Sequence, residues 1–162
     1  MKLSICGSGP GLEKTTDDGH VWCTSSAFKM LEALSTRVDK VFQLHANREV
    51  WEPWLKEIET KAVLINPYYG LIKAQILPAQ KLVDKYGFRF GSSIAWMLAY
   101  AVELGEYSEI DIRGVHMAHV TEYGIQRDTF FFFCGVAEAR GIRVNIPTDS
   151  GVFIGDHKYG VV

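Results

Sequence analysis

The sequence predicts an α/β fold, a mostly parallel sheet covered by helices on both faces. Three observations point to it. Short apolar runs bounded by turn residues recur along the 162-residue chain, at Lys2–Cys6, His20–Thr24, 41–45, 62–65, Glu109–Arg113 and 143–146. Helix-like stretches fall between several of them, the alternation that a parallel sheet requires. Polar and glycine residues gather just after the strands, where ligands bind in sheets of this kind. Together these features describe a three-layer, Rossmann-like domain, expected to span residues 1–162 as one unit.

The elements can be justified in order. Lys2–Cys6 is apolar and ends in the turn Gly7-Ser8-Gly9-Pro10-Gly11, where the chain can expose backbone N–H groups. His20–Thr24 ends in the hydroxyls Thr24, Ser25 and Ser26, and a helix over 26–35 follows with Phe28, Leu31 and Leu34 on one face. The strand over 41–45 ends at His45. Trp51 and Trp54 flank Pro53 in a charged, helix-like segment suited to covering the sheet, and Tyr68-Tyr69-Gly70 reads as a loop. The longest helix, 92–104, starts at serines able to cap it, carries Ile94, Met97, Leu98 and Ala101 on one side, and stops at Gly105. The strand Glu109–Arg113 and a last helix over 129–140, ending at Gly141, precede the final strand. Phe130–Phe133 is too continuous for one helix face, so part belongs to the core and part to a contact with another subunit.

Composition narrows the function. The chain is 48% hydrophobic and 22% charged, with a net charge of −2, so it has no basic footprint for duplex nucleic acid. No run approaches the roughly 18 apolar residues of a membrane span, and the N-terminus lacks a signal-peptide layout. Three cysteines, Cys6, Cys23 and Cys134, have no metal-type spacing; they fit free, buried thiols in a reducing cytoplasm.

The chemistry-bearing motifs stand at the strand ends. The 7–11 turn is neither a Walker A loop, since no Gly-Lys-Ser/Thr follows, nor a full dinucleotide fingerprint, and a tight structural turn is its plain reading. One of Thr24, Ser25 and Ser26 is expected to cap a helix, leaving the others for a ribose or base. Gly91-Ser92-Ser93 offers N–H groups and hydroxyls at the positive end of a helix dipole, or an ordinary serine cap. The densest cluster, residues 114–128, holds His116, His119, Glu122, Tyr123, Arg127 and Asp128 and reads as a loop. His116 and His119 are spaced to share a metal with Glu122, but no matching further ligand appears and no metal site is assigned. General-base or phosphate-contact roles suit His119, Tyr123 and Arg127 better.

With these residues in view, the sequence resembles a known group. The turn at Gly7–Pro10, "WCTSSAF", "FGSSIAWMLAYAVELG" and "IRGVHMAHVTEYGIQR" look like small phage-type Rossmann-like proteins related in pattern to the MptE-like (6-hydroxymethylpterin diphosphokinase-like) and bacterial sialyltransferase-like proteins. The resemblance spans nearly the whole chain in order. It implies a nucleotide site in which Gly7, Ser8, Gly9 and Pro10 lie along the phosphates. Thr24, Ser25 and His45 would meet the sugar or base. Gly91, Ser92 and Ser93 would hold the nucleoside or phosphate beside His116, and His119, Tyr123 and Arg127 would face the reacting end. The implied function is a nucleotide- or nucleotide-sugar-dependent transferase moving a glycosyl or diphosphoryl group. The alternative is a non-catalytic binder that sequesters a nucleotide or a nucleotide-like signal. A divalent cation accompanying the nucleotide is the one cofactor left open, and a homo-oligomer in the cytoplasm, a host's if phage-encoded, is expected. Two departures count against catalysis: Gly11 stands where the group has Ser or Thr, and His116 where it has an acid.

Overall fold

The structure, a computed structural model, describes residues 1–45, 53–67, 70–117 and 122–152, with residues 122–125 described by main chain only. Seven strands form one sheet: β1 Lys2–Cys6, β2 His20–Thr24, β3 Lys40–Gln43, β4 Ala62–Leu64, β5 Gln75–Ile76, β6 Glu109–Arg113 and β7 Arg143–Asn145. All their pairings are parallel, in the order β5-β4-β3-β2-β1-β6-β7. The helices are α1 Ser25–Ala33, α2 Ala79–Tyr86, α3 Ser93–Leu104 and α4 Glu122–Ala139.

Strand alternation sends side chains into two separate cores, as a sheet covered on both faces demands. Leu3, Ile5, Trp22, Phe42, Val63, Ile110 and Ile112 pack on one face with Leu82 of α2, the buried side of α3, and Phe130 and Phe133 of α4. Cys6, Val21, Cys23, Val41, Ala62 and Leu64 pack on the other with Ala27, Phe28 and Leu31 of α1 and with Leu55. This is the expected three-layer, Rossmann-like arrangement. Trp54 stacks on Phe28 at 4.9 Å and so helps to cover the sheet; Trp51, Tyr68 and Tyr69 lie outside the described residues.

The run of four phenylalanines is resolved by helical periodicity. Phe130, Phe133, Cys134 and Ala137 form an i, i+3, i+4, i+7 stripe into the core, Phe131 turns outward, and Phe132 lies under Arg89. All three cysteines are buried and free. No helix among the described residues is long and apolar enough to cross a membrane.

Three expectations need correction. β5 and α2 have no counterpart in the sequence reading, because β5 is two residues long and α2 buries only Leu82. α4 begins at Glu122, seven residues before the expected 129, so the second half of the 114–128 cluster is helix and not loop. Polar residues and Gly124 hide that first turn from a search for apolar spacing. The third concerns the first turn's glycines.

Candidate functional site

Chain order reverses between β1 and β6: β2 to β5 lie on one side of β1, and β6 and β7 on the other. A crevice beyond the carboxyl ends of these two strands follows from their diverging connections. Both strands end in glycine turns, and the two turns interlock. Gly7 N–H donates to Arg113 O at 2.9 Å, and Gly9 N–H donates to Gly114 O at 2.6 Å. A β-carbon on Gly7 would sit 2.7 Å from Gly114 O, and one on Gly9 would sit 2.9 Å from it. The glycines at 7 and 9 therefore admit a neighbouring backbone, and their N–H groups are spent on it, contrary to the expectation that they are open to a phosphate. Pro10 has no N–H. Of the turn residues that line the cavity, Ser8 is the one whose N–H and hydroxyl are left to offer a ligand among the described residues.

Two helices point their N-termini into the same crevice. α3 is capped by Ser92, whose Oγ accepts from Ala95 N–H at 3.1 Å. The cap satisfies one first-turn amide and leaves those of Ser93 and Ile94 facing out of the helix end. α1 is not capped in this way. Thr24 holds the cap position without a side-chain bond to a main-chain N–H of the helix, and its Oγ1 hydrogen-bonds instead to Ser26 Oγ at 3.0 Å. The expectation that one of these three hydroxyls caps α1 does not hold for Thr24. Ser25 instead donates to Oε1 of the buried Gln43, at the end of β3. Each helix end brings about half a positive charge, so the crevice attracts anions without a cationic side chain.

The result is one cavity of about 660 Å³, within the range of small-molecule sites. Its lining combines the hydroxyls of Ser8, Thr24, Ser25, Ser26, Ser92 and Ser93 with the apolar side chains of Phe42, Leu44, Ile94 and Met117, and Phe90 is stacked on Trp96 at 3.7 Å. His45 and His116 are the ionisable side chains of the described lining, which includes neither carboxylate, lysine nor arginine. His116 is exposed but lies against Gly151: its Nδ1 is 1.9 Å from where a β-carbon on Gly151 would stand. Ser150 Oγ donates to Val115 O at 2.8 Å, and Lys14 pairs with Asp149 at 2.6 Å, so the segment after β7 is tied to the rim. Cys6, one residue before the first turn, has its thiol pushed up to about 11 by burial, against a Thr15 hydrogen bond that lowers it. It is neutral near pH 7 and so a poor nucleophile.

Two solved structures are similar to this chain. One is the sialyltransferase CstII from Campylobacter jejuni in complex with a substrate analogue, cytidine-5'-monophosphate. It is 18% identical over 92% of this chain and 80% of that one, with a TM-score of 0.43. The other is a point mutant of alpha-2,3/8-sialyltransferase CstII, 17% identical over 90% and 81% of the two chains, with a TM-score of 0.44. Both fall within the sialyltransferase-like part of the resemblance and neither within its MptE-like or phage part. No protein-family model and no curated protein sequence matches the chain. Likeness at this level carries no chemistry, which has to be read from the cavity itself.

All eleven residues expected to bind, Gly7, Ser8, Gly9, Pro10, Thr24, Ser25, His45, Gly91, Ser92, Ser93 and His116, line the cavity. The expected catalytic residues are not brought together in this way. His119 lies outside the described residues, and Tyr123 is on the first turn of α4 with its side chain outside them. Arg127 is half-buried on α4, and its neighbour Gln126 lines the cavity in its place. Among the described residues no three His, Cys, Asp or Glu side chains come together. Sequence reasoning missed Gln43, Gly114, Phe90, Trp96 and Met117. A glutamine directly after the apolar pair Val41-Phe42 was the available signal for the first.

Proposed function

We propose that the chain is a nucleotide-dependent transferase, with glycosyl transfer from a nucleotide sugar as its reaction. The observation that carries this reading is the convergence of two helix N-termini and the Ser8 turn on one half-aromatic cavity at the switch point. The hydroxyls and helix N-termini suit a phosphate, and the Phe90–Trp96 pair suits a base or sugar face. With no lysine or arginine in the described lining, phosphate charge there is met by main-chain N–H groups and imidazole. That supports a ligand of low phosphate charge over a triphosphate. A divalent cation would bind through the nucleotide or through residues outside the described set.

In this reading an acceptor hydroxyl attacks the anomeric carbon and the bond from that carbon to the phosphate oxygen breaks. His119 takes the acceptor's proton and Tyr123 stabilises the charge left on the nucleotide, while Arg127, which does not line the cavity, contributes through its charge from beside Gln126. The test is calorimetry with nucleoside mono- and diphosphates, followed by mass spectrometry of nucleotide sugars incubated with protein and acceptors. Binding and release of the free nucleotide are expected, with His119→Ala abolishing turnover and changing affinity only a few-fold. Binding without turnover would make the chain a nucleotide binder, and no binding at millimolar concentration would overturn the nucleotide site itself.

A further inference from the structure

Gln43 is a cost that the fold does not need. It is 2% exposed, at the end of β3, and its side-chain Nε2 has no hydrogen-bond partner among the described residues. An apolar side chain there would avoid the penalty of a buried, unpaired amide. Among the described residues the amide hydrogen-bonds through Oε1, which accepts the hydroxyl proton of Ser25, a residue of the cavity wall.

A serine hydroxyl has one proton to give and two lone pairs to offer. With its proton committed to Gln43, Ser25 can present only lone pairs to the cavity. We infer that Gln43 is a positioning residue that makes Ser25 an acceptor, so that the subsite at the start of α1 selects a hydrogen-bond donor on the ligand. A phosphate oxygen finds no donor in that hydroxyl, because two acceptors would face each other, although the α1 dipole still draws the anion into the cavity. The anion is directed instead to the start of α3, where Ser93 and Ile94 present N–H groups beyond the Ser92 cap. The donor is a sugar hydroxyl or an exocyclic amine of the base. The polarity of the two subsites thereby sets which way round a nucleotide lies.

This inference rests on the nucleotide reading of the cavity, and the experiment separates the two. Titrate the wild-type chain, Gln43→Met and Ser25→Ala by calorimetry with cytidine 5'-monophosphate, its 2',3'-dideoxy analogue, uridine 5'-monophosphate and inorganic phosphate. Thermal melts establish that each variant is folded. Wild type is expected to prefer the parent over the form lacking the donor by roughly three- to tenfold. A preference over the dideoxy form assigns the sugar hydroxyl, and a preference over the uridine form assigns the amine. Both variants are expected to lose that preference, and Gln43→Met to bind inorganic phosphate at least as tightly as wild type, because the Ser25 hydroxyl is then free to donate to it. A merely structural role for Gln43 would weaken every ligand alike and leave the preference intact, which would overturn the inference. So would a wild type that does not discriminate. If no nucleotide binds at all while the protein is folded, it is the nucleotide reading that fails, and this one falls with it.

Discussion

At Gly114 three constraints meet in one residue. Its φ is 58°, the Gly7 carbonyl oxygen is 2.3 Å from where a β-carbon would stand, and the Leu12 side chain is 3.0 Å from it. Left-handed backbone alone costs a non-glycine residue about 1–2 kcal/mol. Gly114→Ala should lose more than that in urea denaturation, because the β1 and β6 turns must also separate. Gly105 provides the comparison, with φ 67° and nothing within 4 Å of its missing β-carbon. Gly105→Ala should lose the conformational part only and keep ligand affinity, whereas Gly114→Ala loses affinity as the cavity wall shifts. Gly151 constrains a side chain instead of a turn, since the His116 ring occupies the space that any β-carbon would take.

Among the elements, α3 joins structure to site most directly. Its buried residues run almost all the way round, from Ile94 to Val102, because it is packed between the sheet and α4. Its first turn divides the work between two serines, Ser92 capping the helix and Ser93 lining the cavity. Ser92→Ala should cost about 1 kcal/mol in thermal or chemical unfolding. Ser93→Ala should stay within about 0.5 kcal/mol of wild type and weaken phosphate binding instead. The same division explains what the sequence disclosed. Apolar strands of five residues and a helix bounded by Ser92 and Gly105 announce themselves through composition, periodicity and caps. Strand ends are where a parallel sheet places its ligand, so the residues that line the cavity could be named from position alone. α2 and β5 carry too little apolar pattern to be seen, and the polar start of α4 imitates a loop. Gln43 and Gly114 act through what they touch across the fold, which no local pattern reveals.

For the molecule as a whole, Glu103 is a clamp between helices. It lies near the end of α3, accepting from Tyr86 at the end of α2 at 2.7 Å, from Lys85 at 2.8 Å, and from Arg140 beyond α4 at 2.8 Å. Burial pushes its carboxyl up, but these three partners outweigh it and hold it down to about 2. An unfolded glutamate titrates near 4.3. The stabilisation is therefore complete above about pH 4.3 and is lost as pH falls through about 2. Glu103→Gln should lower stability at pH 7 by about 1–2 kcal/mol and flatten the acid side of the stability curve between those two values, as read by urea melts at each pH. The interlocked turns at Gly7–Gly9 and Gly114 have a different consequence, one of timing. They belong to neighbouring strands separated in the chain by four other strands and three helices. The wall they make cannot exist until β6 has inserted beside β1, a long-range pairing of the kind that forms slowly. Ligand binding during refolding should thus appear only with the last sheet contacts, and a nucleotide cannot template the early steps. It can only reward the finished fold.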